Sequence, residues 1–581
     1  MKLVEALKLL RERPPEGAES FRAFLACGFT PLHLETFLGA HLRRRRPGLA
    51  VGTATGLYGD LTGSLRRLTE EPGDLDAAAV VIEWPDLDPR LGIRGAGSWS
   101  PEVLPDVLRT AAERAEWLAE AIVKASERVP LAVAVPTLPL PPASFEPGWQ
   151  SGAFDLNLRR AAADLAARVS RGRGVRVISQ SRLDERSPLA ARLDVKSELT
   201  TGFPYQLAHA SDLAEALATA LLPPPPKKGL ITDLDDTLWR GLVGEVGAEG
   251  VSWGLDAHSQ AHALYQMLLG SLARTGVLVA VASKNEPEAA ARALAREDLA
   301  LSKDDLFPVE VGWGAKSEAV SRILRAWNVG ADGVVFVDDS PIELAEVKAA
   351  HPDIECVEFP RGDDEGAYRL LARLRDLFGK SALLEEDALR LQTVRRSAAA
   401  AEEVNGGGDS SHTERFLEQA EAELTLSFDA GASDARAFEL VNKTNQFNLN
   451  GVRYTEALWR RRLEEPGGFL MVTSYKDKYG PLGKIAVLAG RREGERLRVG
   501  TWVMSCRAFA RRIEHRCLAA LFERFGAREI EFDFAETPKN APLRAFLREF
   551  AEVDGGGRPR LTRETFAEKC PPLYHKTFQT G

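Results

Sequence analysis

The stretch from Gly229 to Trp239 constrains the fold of this chain more than any other part of its sequence. A short apolar run, long enough for a buried strand, ends directly in an Asp-x-Asp-x-Thr pattern. Ligands of an open α/β sheet sit beyond the carboxyl ends of its strands, so the run delivers Asp233 and Asp235 to that edge. Two carboxylates on one short loop repel each other, and a hard divalent cation such as Mg²⁺ makes the arrangement favourable. The stretch therefore predicts a metal site in an α/β domain.

Further apolar runs in the same region also end in polar residues. The polar residues that follow them are Ser283-Lys284-Asn285, Gly314-Ala315-Lys316 and Asp338-Asp339. Helical segments separate these runs. The alternation predicts a doubly wound parallel sheet whose site is assembled from the loops at its carboxyl edge.

The ordered set of side chains matches the needs of phosphoryl transfer. Asp233 is the predicted nucleophile, because an aspartyl-phosphate splits a difficult hydrolysis into two steps. Asp235 is the predicted proton donor and acceptor. The hydroxyl of Ser283 and the ammonium of Lys316 are predicted to hold the phosphoryl oxygens as charge develops on them.

The remaining members of the set are assigned to substrate and metal. The predicted substrate-binding residues are Thr237, Ser283, Lys284 and Asn285. The predicted ligands of Mg²⁺ are carboxylates: Asp233, Asp235, Asp338 and Asp339.

This arrangement resembles the haloacid dehalogenase superfamily, whose four motifs match these positions in the same order. The resemblance implies a phosphatase fold and a Mg²⁺-dependent reaction. The insert between the aspartate loop and Ser283 is too short for a full cap domain. An open site of this kind suits a large or protein-borne substrate, which we state as a hypothesis.

The rest of the chain divides around this region. A chain of 581 residues is too long to fold around a single hydrophobic core. A polyproline run at 223–226 marks a domain boundary. We predict an N-terminal α/β domain over 1–222, a linker over 223–228 and a phosphatase domain over 229–380. A helical, glycine-rich linker over 381–412 and an α+β domain over 413–581 follow. The first domain lacks a Gly-x-Ser-x-Gly elbow, and we interpret it as a binding or scaffold domain.

Composition excludes several classes of function. The net charge of −9 argues against general nucleic-acid binding. No apolar run of about 18 residues is present that could span a bilayer, and the first residues do not resemble a signal peptide. We therefore expect a cytoplasmic protein. The five cysteines are scattered, which argues against a disulfide framework or a zinc site.

The stretch from Trp502 to Glu514 follows a predicted strand and opens a helix. Its position resembles the pyrophosphate loop of GNAT-type acyltransferases. Ala510 replaces a glycine of that pattern and Arg512 a small residue, which disfavours coenzyme A. Cys506 lies where the strand becomes the helix, and nearby arginines favour its thiolate. The alternative is a buried, inert cysteine.

Several segments together resemble the FkbH-like family: Asp235–Trp239 with Gly241-x-x-Gly244-Glu245, Asn442–Asn448, and Pro538–Pro542. The resemblance implies an SGNH-hydrolase-like first domain and a GNAT-like last domain. It also implies a role in polyketide pathways, in which a glyceryl group from 1,3-bisphosphoglycerate loses phosphate and becomes a thioester on an acyl carrier protein. We hypothesise that Cys506 transiently carries the glyceryl unit.

Three alternatives stay open. The first is a stand-alone Mg²⁺-dependent phosphatase whose last domain only binds. The second is a GNAT-type acyltransferase that uses coenzyme A. The third is a non-enzymatic pathway scaffold, which an intact aspartate set disfavours.

Overall fold

In a computed structural model, the chain forms two compact units. One comprises Met1–Pro224 with Tyr454–Arg461, and the other Pro225–Arg453 with Arg462–Gly581. The structure describes all residues except 17, 96–98, 381–382, 406–413, 415–416, 430, 479, 506–507, 510 and 554–557, and describes only the backbone at 388, 397, 399–405 and 553.

The first unit is built on a five-stranded parallel sheet in the order β2-β1-β3-β4-β5. Its strands are β1 (Glu19–Cys27), β2 (Leu49–Thr55), β3 (Ala77–Val81), β4 (Leu131–Ala134) and β5 (Val175–Val177). Its helices are Leu3–Arg11, Leu32–Arg45, Leu61–Glu70, Trp84–Leu87, Leu104–Ser126, Ala153–Val169, Gln180–Arg186, Val195–Thr201, Leu207–Leu221 and the first part of Glu456–Glu464. β3 and β4 are buried along their whole length, as expected for strands covered on both faces.

A buried polar cluster lies beyond the carboxyl ends of β3 and β4 in this unit. The carboxylate of Glu83 accepts hydrogen bonds from Thr137 and from the hydroxyl of Tyr205. His209 contacts the hydroxyls of Thr137 and Ser187. These contacts satisfy the buried polar groups within the protein, which is the usual requirement for burying them.

The second unit contains a five-stranded parallel sheet in the order β10-β9-β6-β7-β8. Its strands are β6 (Gly229–Thr232), β7 (Leu278–Ser283), β8 (Leu306–Val311), β9 (Val334–Asp338) and β10 (Glu355–Glu358). Its helices are Val243–Val246, Gln260–Arg274, Pro287–Leu294, Lys316–Trp327, Pro341–Ala350 and Asp364–Phe378. Prolines open two of these helices at positions that need no backbone donor. The central position of β6 places its carboxyl end between those of β7 and β9.

The same unit continues into an eight-stranded mixed sheet in the order β16-β17-β15-β14-β13-β12-β11-β18. Its strands are β11 (Glu423–Ser427), β12 (Gly468–Asp477), β13 (Gly480–Glu493), β14 (Arg496–Met504), β15 (Glu529–Phe532), β16 (Glu552–Val553), β17 (Pro559–Thr562) and β18 (Lys576–Thr580). The helices are Glu385–Ala388, Arg390–Asn405, Ala435–Lys443, Ile513–Phe525, Ala541–Phe550 and Arg563–Lys569. β14 pairs with β15, and β11 with β18, in parallel; the other neighbours are antiparallel.

The predicted fold class is confirmed: the chain is a multidomain α/β protein with a doubly wound parallel sheet at its centre and a mixed sheet after it. Two local features add to what the sequence predicted. β1 was not predicted, and the helix that the stretch from Trp502 to Glu514 opens begins at Ile513, near the end of that stretch. None of the helices in the described residues is long and apolar enough to cross a membrane.

Candidate functional site

The carboxyl ends of β6, β7 and β9 bring three predicted site residues to one edge of the central sheet. Asp233 directly follows β6, Ser283 ends β7, and Asp338 ends β9. The three residues are 5%, 4% and 0% exposed. Buried carboxylates that lie close together need cationic partners. The segment after β8 supplies one.

Lys316 is the cationic centre of the site. It opens the helix that follows β8, and it is buried. Its Nζ lies 3.0 Å from Asp233 Oδ1 and 2.6 Å from Asp338 Oδ2. Burial disfavours the charge of Lys316, but the two carboxylates outweigh this effect and raise the pKa of the ammonium. Lys316 is therefore a fixed positive charge at the strand ends.

Asp233, Asp338 and Asp339 form a carboxylate cluster. Each places an oxygen within 4.8 Å of the other two. Apart from its ion pair with Lys316, the buried Oδ1 of Asp233 has no hydrogen-bond partner in the described part of the chain. Burial raises the pKa of Asp233, and the charge of Lys316 opposes that rise. A set of carboxylate oxygens with spare acceptor capacity fits a hard divalent cation.

The carboxylate of Asp235 points to a different set of partners. Its Oδ1 accepts a hydrogen bond from Trp239 Nε1 at 2.8 Å and another from the backbone N–H of Val243 at 3.1 Å. The indole of Trp239 is fully buried. These two donors fix the orientation of the predicted acid and base. Asp235 lies outside the carboxylate cluster of Asp233, Asp338 and Asp339, and its role as a metal ligand stays a prediction.

The loop after β6 is stabilised through Asp236, which has a left-handed backbone with φ of 50°. Its carboxylate accepts from the backbone N–H of Gly241 at 2.8 Å and pairs with Arg361. Arg361 Nε also lies 3.4 Å from Asp339 Oδ2. Thr237 donates its hydroxyl to Asp339 Oδ1 at 3.4 Å. The predicted substrate-binding threonine thus contacts the carboxylate cluster.

The other predicted substrate-binding residues follow β7. Asn285 is buried, and its Nδ2 donates to the hydroxyl of Ser283 at 3.1 Å. Lys284 points elsewhere: its Nζ lies 3.0 Å from Glu343 and 3.6 Å from Glu346. Ser283 and Asn285 therefore belong to the buried edge, whereas Lys284 lies in an ion-pair network beside it.

Glu343 is a site residue that the sequence analysis did not identify. Its carboxylate lies 2.7 Å from Lys316 Nζ, which makes it a third anionic partner of that ammonium. It occupies the first turn of the helix that begins at Pro341. The sequence could have indicated this residue, because Glu343 follows Asp338-Asp339 by only a few positions. A helix that begins directly after a strand has its first turn at the same edge of the sheet as the end of that strand.

The predictions about the last domain are tested less fully. Cys506 and Ala510 lie outside the described residues. Arg512 has a left-handed backbone and precedes the helix Ile513–Phe525; its guanidinium donates to the carbonyl of Pro572 and pairs with Glu414. Cys517 is fully buried, and burial raises the pKa of its thiol to about 12.

The fold is similar to a solved structure from Bacteroides fragilis, the N-terminal part of a protein described as containing a phosphatase domain complexed with Mg. The TM-score is 0.52 and the sequence identity 18%, and the match covers 66% of this chain and 100% of that chain. No protein-family model and no curated protein matches the chain. At this level of identity, the similarity establishes a shared fold.

Proposed function

We propose that this chain is a Mg²⁺-dependent phosphatase of the haloacid dehalogenase type. The observation that carries the proposal is the position of Lys316, whose ammonium bridges Asp233 and Asp338 at the strand ends. A buried cation beside a carboxylate nucleophile suits a phosphoryl group, because positioning and electrostatic stabilisation supply most of the catalysis of phosphoryl transfer.

In the proposed reaction, a carboxylate oxygen of Asp233 attacks phosphorus and the bond to the leaving oxygen breaks. Asp235, held by Trp239, gives that oxygen a proton and later takes one from the water that releases phosphate. Ser283 and Lys316 hold the phosphoryl oxygens throughout.

The metal site supports the same reaction. Asp233, Asp338 and Asp339 would hold Mg²⁺, which when bound offsets negative charge on the phosphoryl oxygens. The similar fold from Bacteroides fragilis, described as a phosphatase domain complexed with Mg, is consistent with this choice of metal.

The finer proposal is that phosphate removal is coupled to transfer of a glyceryl unit onto an acyl carrier protein, as the FkbH-like resemblance implies, and that the reaction takes place in the cytoplasm. Exposed apolar side chains on the segments that follow β6, β8 and β9 support a macromolecular substrate: Leu242, Trp313 and Ile342 are 39%, 72% and 81% exposed. Between Trp239 and the helix Gln260–Arg274, the chain forms only a four-residue helix, Val243–Val246, and a bridge between Arg240 and Ser252. This short insert leaves room for such a substrate.

The transfer step would use the last domain, residues 413–581. The proposal therefore includes the predicted division of the chain into an N-terminal domain, a phosphatase domain and this last domain. The carbonyl carbon of an acyl phosphate such as 1,3-bisphosphoglycerate would form a bond to the thiol of Cys506 and release phosphate. The thiol of the carrier's phosphopantetheine would then take the acyl group and leave Cys506 free.

Intact-protein mass spectrometry tests the proposal. The protein is mixed with Mg²⁺, an enzymatic source of 1,3-bisphosphoglycerate and a phosphopantetheinylated carrier protein, with Asp233→Asn and Cys506→Ser as variants. With the unmodified protein, we expect the mass of the carrier to rise by that of one glyceryl group. With Asp233→Asn, we expect this increment either to retain its phosphate or to be lost. Cys506→Ser should abolish acylation and leave hydrolysis of p-nitrophenyl phosphate intact.

Other outcomes would favour the alternatives. Free phosphate without an increment on the carrier would support a stand-alone phosphatase. Full acylation by Cys506→Ser would exclude the covalent role of that cysteine. If Asp233→Asn hydrolysed p-nitrophenyl phosphate as fast as the unmodified protein, the phosphatase proposal itself would be wrong.

A further inference from the structure

A cavity of about 280 Å³ lies at the end of the central sheet opposite the carboxylate cluster. Its wall includes Lys228, which precedes β6, Leu278, which begins β7, and Asp332, which lies shortly before β9. A strand rises about 3.3 Å per residue, so Lys228 is about 16 Å from Asp233 along β6. The cavity is therefore a separate site from the one described above.

The other wall of the cavity comes from the two segments that follow the central domain and carry the FkbH-like resemblance. Lys443 to Gln446 belong to one segment and Lys539 to the other. Asp332 joins them: its Oδ2 accepts from Asn445 Nδ2 at 3.2 Å and lies 3.0 Å from Lys539 Nζ. Asn540 next to Lys539 donates to the carbonyl of Asn448 at 3.1 Å. Both segments are thus held in place around the cavity.

Positive charge exceeds negative charge in the lining. Five cationic and three acidic side chains leave a net charge of +2: Lys228, Arg390, Arg436, Lys443 and Lys539 against Asp332, Asp353 and Glu439. The acids already have cationic partners. Burial would raise the pKa of Glu439, but the charges of Arg436 and Lys443 lower it to about 2. The lining therefore favours an additional anion.

Arg436 is the most informative member of this lining. It is 7% exposed, and its Nη1 pairs with Glu439. Its Nε is buried and has no hydrogen-bond partner in the part of the chain that the structure describes. Among the residues that the structure describes, the ion pairs of Arg436 and of Lys443 both end at Glu439, so two cations share one carboxylate and an anionic ligand would offset the remaining positive charge.

We propose that this cavity binds a small phosphorylated carboxylic acid. The cavity volume of about 280 Å³ lies just below the range of about 300–1,000 Å³ for pockets that hold drug-sized ligands, so it suits a ligand of a few carbon atoms. The two anionic groups of such a ligand find cations at two places in the lining, one formed by Arg436 and Lys443 and the other by Lys539. The amides of Asn445 and Gln446 supply polar contacts, and Trp327 and Met504 form an apolar surface. The proposal rests on the cavity and does not require phosphoryl transfer at Asp233.

Isothermal titration calorimetry of the full chain in EDTA tests the proposal, with 3-phosphoglycerate, inorganic phosphate and D-glycerate as probes. The variants are Arg436→Met, Lys539→Met, Asp233→Asn and the exposed-surface control Arg548→Met. We expect 3-phosphoglycerate to bind more tightly than either single-anion probe. Each cavity variant should weaken it at least about tenfold, and the other two should not. Lys539 is half exposed and so gives a second variant if Arg436→Met does not fold.

Each other result would overturn the proposal. Binding that persists in both folded cavity variants, or that Asp233→Asn abolishes, would place the ligand at the carboxylate edge. Equal affinity for inorganic phosphate and 3-phosphoglycerate would exclude recognition of the carboxylate. Hydrolysis of p-nitrophenyl phosphate is measured in parallel, and we expect it to be unchanged in the cavity variants, which separates this site from the proposed phosphatase.

Discussion

The ammonium of Lys316 lies 3.0 Å from the carboxylate of Asp233, and both side chains are buried. The chain reaches this contact from two different loops, one after β6 and one after β8. The same ammonium contacts Asp338 and Glu343, so one cation stabilises three carboxylates.

We expect Lys316→Met to destabilise the second unit by about 3–5 kcal/mol, because it leaves buried carboxylates without their cation. Added Mg²⁺ should recover part of this loss. Lys284→Met is the control, since Lys284 is 34% exposed and pairs with Glu343 at the periphery; it should cost at most about 1 kcal/mol. Thermal unfolding with and without Mg²⁺ measures both variants. Equal losses in the two would contradict the central role of Lys316.

The metal proposal predicts different effects for two neighbouring aspartates. Asp339→Asn removes an oxygen of the carboxylate cluster and should weaken Mg²⁺ binding at least about tenfold. Asp236→Asn should leave the affinity unchanged, because that carboxylate is engaged by Gly241 and Arg361. A titration of Mg²⁺ followed by the rise in melting temperature gives both affinities. A loss of affinity in Asp236→Asn alone would mean that the metal lies elsewhere in the loop.

Trp239 should act as a positioning residue for Asp235. Trp239→Phe removes the indole N–H that holds the carboxylate at 2.8 Å, and a hydrogen bond to a charged group contributes about 1.5–3 kcal/mol. We expect kcat for p-nitrophenyl phosphate to fall about tenfold or more, with KM unchanged. Trp253→Phe is the matched control, because its indole donates to the carbonyl of Asp298 instead. A rise in KM at constant kcat would argue against positioning.

The sequence predicted the central sheet well because its strands are continuous apolar runs that end in polar residues. For this reason the predicted carboxyl ends of β6, β7 and β9 agree with the structure to within one residue. The edge to which these strands deliver Asp233, Ser283 and Asp338 follows from parallel topology alone.

Side-chain orientation was beyond the reach of the sequence. Motif spacing predicts Asp235 as a metal ligand and as the acid and base, but it does not reveal that the indole of Trp239 donates to Asp235 Oδ1. Lys284 similarly follows Ser283 in the chain but turns to Glu343. β1 was missed because Phe21, Phe24 and Leu25 do not alternate with polar residues. Its second half is buried without interruption, so it lacks the period of two that identifies a half-buried strand.

Two thiols should be inert in the native protein. Cys27 and Cys517 are 4% and 0% exposed, and burial raises the pKa of each to about 12. The thiolate is the reactive form, so iodoacetamide at about pH 8 should leave both unmodified until urea is added. Peptide mass spectrometry locates the label. Native labelling of either residue would show that its surroundings open, and the same experiment reports whether Cys506 reacts first, as its proposed role requires.

The buried histidine of the first unit predicts a pH dependence of stability. Burial and the charge of Arg192 lower the pKa of His209 to about 3, below the ordinary value of 6.5. Between these values the unfolded chain binds a proton that the folded chain does not, so stability is complete above about pH 6.5 and is lost as the pH falls. The contribution of His209 should change by about 1.4 kcal/mol per pH unit in this window.

His209→Gln isolates this contribution, since Gln retains a polar group for the hydroxyl of Thr137. Burial raises the pKa values of Glu83 and Asp86 to about 7, which makes their own contributions run in the opposite direction. Both carboxyls are present in the two proteins, so their contributions largely cancel in the comparison. Hydrogen exchange of the helix Leu207–Leu221 as a function of pH is the measurement. The advantage of the unmodified protein over His209→Gln should shrink from about pH 6.5 to pH 4, and a constant difference would mean that His209 becomes protonated without unfolding.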